Sequence, residues 1–312
     1  MNTMRPDPSM ITISDNVAKI KDFILNAILR PRAIMHKWST ITNQTPNVKI
    51  GYTGQHLASL ITGVHGTATG ARGEDIADGT EVKSCCRVDQ VDTCRACKKH
   101  VMRYQTSCPH CSSQNIKRNN DSKWLIAIRK ESELNLYLDE IPRTFFLLFD
   151  YPNFDTGDFD TLRISSYEIW NQSNRASVFR QLLKDYYYNI YLAHKKANSK
   201  SNPAPKNFWP YSYQFYLCNP IKTFECIIHD AINHPEIDIN HYVDPKVDRS
   251  QMASENMPAA LLSPSEINIL AKHKIKVPPN GMINEQTKML LPVRDEGKSS
   301  SQEEEYHRKH QA

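Results

Sequence analysis

The chain reads as an α/β fold, strands set among helices, carrying a small cysteine-bearing insertion and followed by a C-terminal α+β region. Three observations point there. Short aromatic and β-branched runs, the pattern of strands, are set among longer stretches with an apolar stripe at helical spacing. Two C-x2-C pairs stand close together in the first half of the chain. Glycine is scarce, ten in 312 residues, yet Gly66, Gly70, Gly73 and Gly79 crowd into one stretch ahead of them.

Taken in order, Ser14 is placed to cap a helix over about residues 15–29. Val17, Ile20, Phe23, Ile24, Ala27 and Ile28 form its apolar stripe, and Pro31 should stop it. Further helices are expected near 31–39 and 55–61. Residues 124–128, 144–150 and 162–169 read as strands, and 175–196 as a long helix that buries Val178, Leu182, Leu183, Tyr186, Ile190 and Ala193. The Ser/Asn/Pro/Lys-rich segment 198–206 reads as a linker. Beyond it 211–217 and 223–228 are strand-like, and Ser263-Pro264-Ser265-Glu266 has the form of a capping box that opens a helix to about His273.

This divides the chain into an N-terminal helical region (1–50), a core (51–197) with its insertion at 92–118, a C-terminal region of unassigned role (207–293) and a charged, disordered tail (294–312). Hydrophobic residues make up 39% of the chain, with ten Phe, fourteen Tyr and four Trp, enough for a globular core. No stretch approaches the roughly 18 apolar residues of a membrane span, and the N-terminus carries no apolar signal region, so a cytoplasmic protein without membrane association is expected. There is no P-loop, hence no expectation of a nucleotide cofactor, and no internal repeat.

The chemistry concentrates in Asp78-Gly79-Thr80-Glu81-Val82-Lys83. A strand through Val82 sends Glu81 and Lys83 to one face. Gly79-Thr80 suits a type II′ hairpin that would set Asp78 opposite Glu81, Cβ atoms about 5 Å apart. Two carboxylates that close call for a cation between them, and a hard divalent ion with oxygen ligands fits. Lys83 would face the same point, able to orient a water or steady charge on a phosphate. Glu74 and Asp75 are rival acidic ligands; in this register Glu74 shares the Glu81/Lys83 face and Asp75 does not, unless a bulge reverses them. The other reading of the triplet is a solvent-facing hairpin that never meets a metal.

Cys94-Arg95-Ala96-Cys97 and Cys108-Pro109-His110-Cys111 are two knuckles ten residues apart. Two thiolates from each complete a tetrahedral four-cysteine zinc site, closed and therefore structural: an inserted zinc ribbon. Disulfides are disfavoured without a secretory signal. His100 and His110 are expected outside the ligand set, and Cys85, Cys86, Cys218 and Cys226 as packing residues. From Cys94 to Lys130 nine Lys or Arg face one acid, Asp121, whereas the whole chain carries a net charge of +5. Positive charge beside a candidate metal site suits a phosphate backbone. Lys98, Lys99, Arg103, Lys117 and Arg118, together with Arg72 in the glycine-rich run, are the candidate DNA-binding residues.

Glu81-Val82-Lys83 with an acid upstream resembles the signature of a PD-(D/E)xK nuclease core, which implies a mixed β-sheet flanked by helices, although Asp78 stands nearer to Glu81 than that signature usually has it. The longer runs Gly51–Ala58 and Ala71–Cys85, followed by the four-cysteine insertion, resemble the MamI group of type II restriction endonucleases over roughly residues 50–190. The resemblance implies a prokaryotic enzyme that cuts double-stranded DNA at a short interrupted palindrome with Mg2+; because such a site has two-fold symmetry and the chain carries one Asp78/Glu81/Lys83 set, a C2 homodimer is expected. Asp78, Glu81 and Lys83 would be its catalytic residues, the two acids its Mg2+ ligands. Another PD-(D/E)xK nuclease, such as a resolvase or repair nickase, and a zinc-ribbon DNA-binding protein without catalysis stay open as alternatives.

Overall fold

The computed structural model describes residues 4–68, 75–277 and 281–294. Its centre is strand β6 (Arg143–Asp150), all eight residues of which are buried. Alternation sends Phe145, Leu147 and Phe149 into one core and Phe146 and Leu148 into another. A strand that is apolar on both faces needs a cover on each side, and helices supply it.

Helices α1 (Asn16–Phe23) and α3 (Gly51–Thr62) lie on the first face, burying Ile20, Leu57, Ala58 and Ile61. On the second face α5 (Ser177–Asp185) buries Phe179, Leu182 and Leu183 against Phe146, Trp124 and Tyr167. The five-stranded sheet runs β1 (Glu81–Cys86), β6, β7 (Leu162–Trp170), β9 (Ile221–His229), β10 (Glu236–Tyr242). β1 pairs in parallel with β6, and the remaining neighbours are antiparallel, so the sheet is mixed, as expected. The ribbon strands β2 (Asp92–Cys94), β3 (His100–Val101) and β4 (Ile116–Lys117) form a separate sheet. A further two-stranded piece pairs β5 (Trp124–Ile126) with β8 (Lys206–Phe208).

Several expectations are corrected. Asp15, not Ser14, stands at the start of α1. Pro31 does not stop the helical run: a π-helical turn at Ile24–Leu29 passes directly into α2 (Arg30–Thr42), which carries the proline as its second residue, just past that change of helical pitch. Tyr211–Leu217 is not a strand; Ser212 caps a short helix α7 (Tyr213–Leu217), accepting a bond from Phe215 N, because Tyr213, Phe215, Tyr216 and Leu217 all find buried places around it. β9 and β10 complete the main sheet, so the region after 207 shares the core of the chain and is not set apart by the segment 198–206. The capping box at Ser263 and Glu266 opens α8 (Pro264–Lys272) as expected. No helix among the described residues is long and apolar enough to cross a membrane. The tail from 295 onward lies outside the described residues.

Candidate active site and cysteine cluster

β1 is an edge strand, so one row of its backbone groups faces away from the sheet. Its register sets Glu81 beside Thr144, Lys83 beside Phe146 and Cys85 beside Leu148. Glu81, Lys83 and Cys85 thus share the face of the second core, and Val82 and Ser84 the other. Glu81 is buried, Lys83 half-buried, and the Lys83 ammonium contacts Glu81 Oε1. Tyr137 Oη donates to the same Oε1 at 3.3 Å.

Asp75 closes the free edge. Val82 N–H donates to its Oδ2 at 2.8 Å, and Gln55 Nε2 donates to its Oδ1 at 2.6 Å. Burial, and then the Glu81 charge, hold the Asp75 carboxyl above its ordinary range; the Val82 N–H, Lys83 and Gln55 pull the other way. The structure therefore gathers Asp75, Glu81 and Lys83 around the rim of one strand, with Gln55 reaching over from α3.

Asp78 belongs elsewhere. The expected two-residue hairpin does not form. Gly79 N–H donates to Ile76 O at 2.9 Å, closing a turn, and Gly79 takes φ +82°, a left-handed conformation suited to glycine. Asp78 Oδ1 accepts from Thr80 N at 3.1 Å, the usual way an aspartate steadies such a turn. Its Oδ2 meets Arg143 Nη2 at 2.6 Å. Arg143, buried, also bonds Glu168 at 3.0 Å, and Arg249 reaches Glu168 at 3.3 Å. β1 pairs with β6 and not with the segment before it, which removes the register that set Asp78 against Glu81 and Asp75 on the far side. Glu74 and Arg72 lie outside the described residues, as do Gly70 and Gly73.

The sulfurs of Cys94, Cys97, Cys108 and Cys111 lie within 4.8 Å of one another. Two pairs stand at 3.6 Å (Cys94–Cys111) and 3.5 Å (Cys97–Cys108), near the edge of about 3.8 Å that a tetrahedron with metal–sulfur bonds of 2.3 Å requires. The knuckles repeat one backbone pattern. Lys98 N–H donates to Cys94 O and Ser112 N–H to Cys108 O, both at 2.9 Å, and Lys98 and Ser112 take left-handed φ of +62° and +56°. His100 and His110 are exposed. Cys85, Cys218 and Cys226 are buried and Cys86 half-buried; burial pushes Cys85 up to about 11 and Cys86 and Cys226 up to about 12, which keeps those thiols protonated.

Of the basic candidates, Lys98, Lys99 and Lys117 are exposed. Arg103 and Arg118 are not turned outward. Arg103 is 2% exposed, sits 3.0 Å from Asp92 and stacks on Phe159 at 4.7 Å and Phe154 at 5.1 Å. Arg118 meets Asp92 at 2.8 Å and the carbonyls of Arg103 and Gln105 at 3.1 and 2.8 Å. Both guanidinium groups brace the ribbon internally around the buried Asp92, which needs cations beside it, and it is their contacts with Phe154 and Phe159 that reach the body. Sequence inspection passed over Gln55 and Tyr137; the only signal for Gln55 was its place in the Gly51–Ala58 run.

Fold and site together define an α/β protein with two carboxylates and a lysine at a sheet edge and a separate four-sulfur cluster. The chain belongs to the MamI restriction endonuclease family, whose sequence model matches residues 37–260. It is 31% identical over 82 residues to the type II restriction enzyme MamI of Microbacterium ammoniaphilum, a match covering 26% of this chain and 27% of that enzyme. The matched stretch thus spans about a quarter of that relative's length. No solved structure matches the chain.

Proposed function

We propose that this chain is a type II restriction endonuclease, which hydrolyses phosphodiester bonds of double-stranded DNA at a short interrupted palindrome with Mg2+. Family membership supports the activity, and one observation carries the site: the Asp75 carboxylate is held at the edge of β1 by Val82 N–H, within the field of Glu81 and Lys83. Asp75 takes the place in the triad that the expected hairpin register had given to Asp78, whose carboxylate is engaged by Arg143.

The donor set fits Mg2+, a hard ion that takes carboxylate and carbonyl oxygens. Asp75 and Glu81 supply carboxylates, and in extended backbone the Val82 carbonyl points to the same edge as its N–H. When bound, the ion supplies a Lewis acid for the phosphate and lowers the pKa of a water. The Lys83 ammonium, beside Glu81, orients the attacking water and steadies charge gathering on the phosphate. The water oxygen bonds to phosphorus, the bond to the leaving strand breaks, and the leaving oxygen takes a proton. Tyr137 fixes Glu81 from the interior.

The four cysteines are proposed to hold one structural Zn2+ per chain, and the exposed Lys98, Lys99 and Lys117 to lie against the DNA backbone. Metal analysis of freshly purified protein should give one zinc per chain; none would remove the zinc assignment. A palindrome relates its strands by a two-fold axis, so a C2 homodimer, cytoplasmic with its DNA, would bring one such site to each strand. The decisive experiment incubates the protein with phage DNA and Mg2+. Discrete double-strand fragments are expected. Nicks or junction cuts would favour a repair nuclease or resolvase, and intact DNA would leave a binding protein.

A further inference from the structure

Resting on the nuclease site proposed above, we infer that Gln55 is a positioning residue, whose side-chain amide holds the Asp75 carboxylate in the orientation that receives the divalent cation. Each oxygen of Asp75 has its own donor, Gln55 Nε2 at 2.6 Å on Oδ1 and Val82 N–H at 2.8 Å on Oδ2. The plane of the carboxylate is therefore set from two elements at once, α3 and β1. A carboxylate has about four acceptor sites, so two donors leave room for a cation.

The reach of Gln55 depends on its neighbour. A Cβ on Gly54 would fall 2.0 Å from Ser84 Oγ and 3.0 Å from Ser84 Cβ, contacts that only glycine avoids. The backbone of α3 consequently lies directly on β1, and the next side chain arrives at the strand edge where Asp75 sits. The chemistry of the amide also suits the place. Glu81 already acts on Asp75 as a like charge, so a third carboxylate there would add repulsion, whereas glutamine donates without adding charge. Groups that orient metal ligands from behind are worth about 10- to 100-fold in metal affinity.

The test titrates the full chain with Mn2+ by calorimetry, beside thermal melting without metal. Wild type, Asp75→Ala, Gln55→Ala and Gln55→Met are compared; methionine keeps length and helix propensity but removes the donor. Wild type should bind Mn2+ at a site that Asp75→Ala abolishes. Gln55→Ala and Gln55→Met should weaken that binding by about 10-fold or more, with melting near that of wild type, and excess Mg2+ should restore cleavage. If both Gln55 variants bind Mn2+ within twofold of wild type, the inference is overturned although the nuclease site stands. If wild type shows no Mn2+ site that Asp75→Ala removes, the nuclease site itself fails and the role of Gln55 falls with it. Should Gln55→Ala not fold, Gln55→Met decides.

Discussion

At the free edge of β1, Asp75 and Glu81 act on one another as like charges, while at the neighbouring ends of β6 and β7 the carboxylates of Asp78 and Glu168 are met by Arg143 and Arg249. Both regions are buried and acidic. In the second, burial pushes Glu168 upward, but Arg143 and then Arg249 outweigh it and leave the carboxyl below its ordinary value. In the first, burial and Glu81 act together and Asp75 stays above its own. Carboxylates matched by guanidinium groups serve the fold. At the β1 edge Lys83 reaches Glu81, yet burial and the Glu81 charge still outweigh the groups that favour the Asp75 carboxylate, and an added cation is what would reverse that balance.

The sharpest way to break this contrast is kinetic. Asp75→Ala, Glu81→Ala and Lys83→Ala should each lower DNA cleavage by about 1000-fold or more, on the scale of losing a group that steadies transition-state charge, in protein that still folds. If Asp75→Ala cut at the wild-type rate while a fully folded Asp78→Ala was dead, the two regions would have to exchange roles.

Next in size is Arg143→Ala. It takes the guanidinium from the half-buried Asp78 and leaves the buried Glu168 with only Arg249 and Trp170, and should cost about 3–5 kcal/mol, the usual penalty for breaking a buried ion pair from one side. Denaturant unfolding measures it. A loss below about 1 kcal/mol, the level of a surface pair, would mean that the network is not structural.

A smaller effect separates the regions by pH. Asp75 has a folded pKa raised above 3.8, so the stability it contributes is complete below the unfolded value and lost as pH rises through the folded one. Asp75→Asn should therefore melt at or above wild type near pH 7, the advantage vanishing below about pH 4. Glu168 has a folded pKa lowered below 4.5, so its contribution is present above the unfolded value and lost as pH falls through the folded one. Glu168→Gln should melt lower than wild type near neutrality, with the gap closing in acid. Parallel behaviour of the two variants would contradict the comparison.

The smallest effect concerns the ribbon. Replacing Lys98 and Lys99 together by alanine should flatten the salt dependence of DNA binding by about two units of slope, roughly one per phosphate contact, and leave melting alone. Arg103→Ala should do the reverse, lowering stability through Asp92 and the aromatic rings it covers. An unchanged slope for the double lysine variant would take the ribbon loop off the DNA.

The amino-acid sequence alone determined what is local. The two knuckles are legible because C-x2-C spacing brings each pair of sulfurs to one point without help from distant chain. Glu81 and Lys83 share a face because a strand repeats every two residues, and the capping box at Ser263 closes within four residues. Strands β6 and β7 followed nearly to the residue from their aromatic and β-branched runs, and the mixed sheet between helices from the resemblance that the motif carried. Tertiary structure decided everything that depended on a partner far along the chain. Arg143, 65 residues from Asp78, drew that carboxylate into a buried pair, and Gln55, 20 residues from Asp75, gave the other its place at the strand edge. The same holds for Arg103 and Arg118, two cations that read as DNA ligands until Asp92 was seen buried between them, and for residues 213–217, whose aromatic pattern suits a strand until the pocket they fill asks for a helix. A charged side chain goes where its desolvation is best compensated, and only the folded chain decides which opposite charges stand near enough to compensate it.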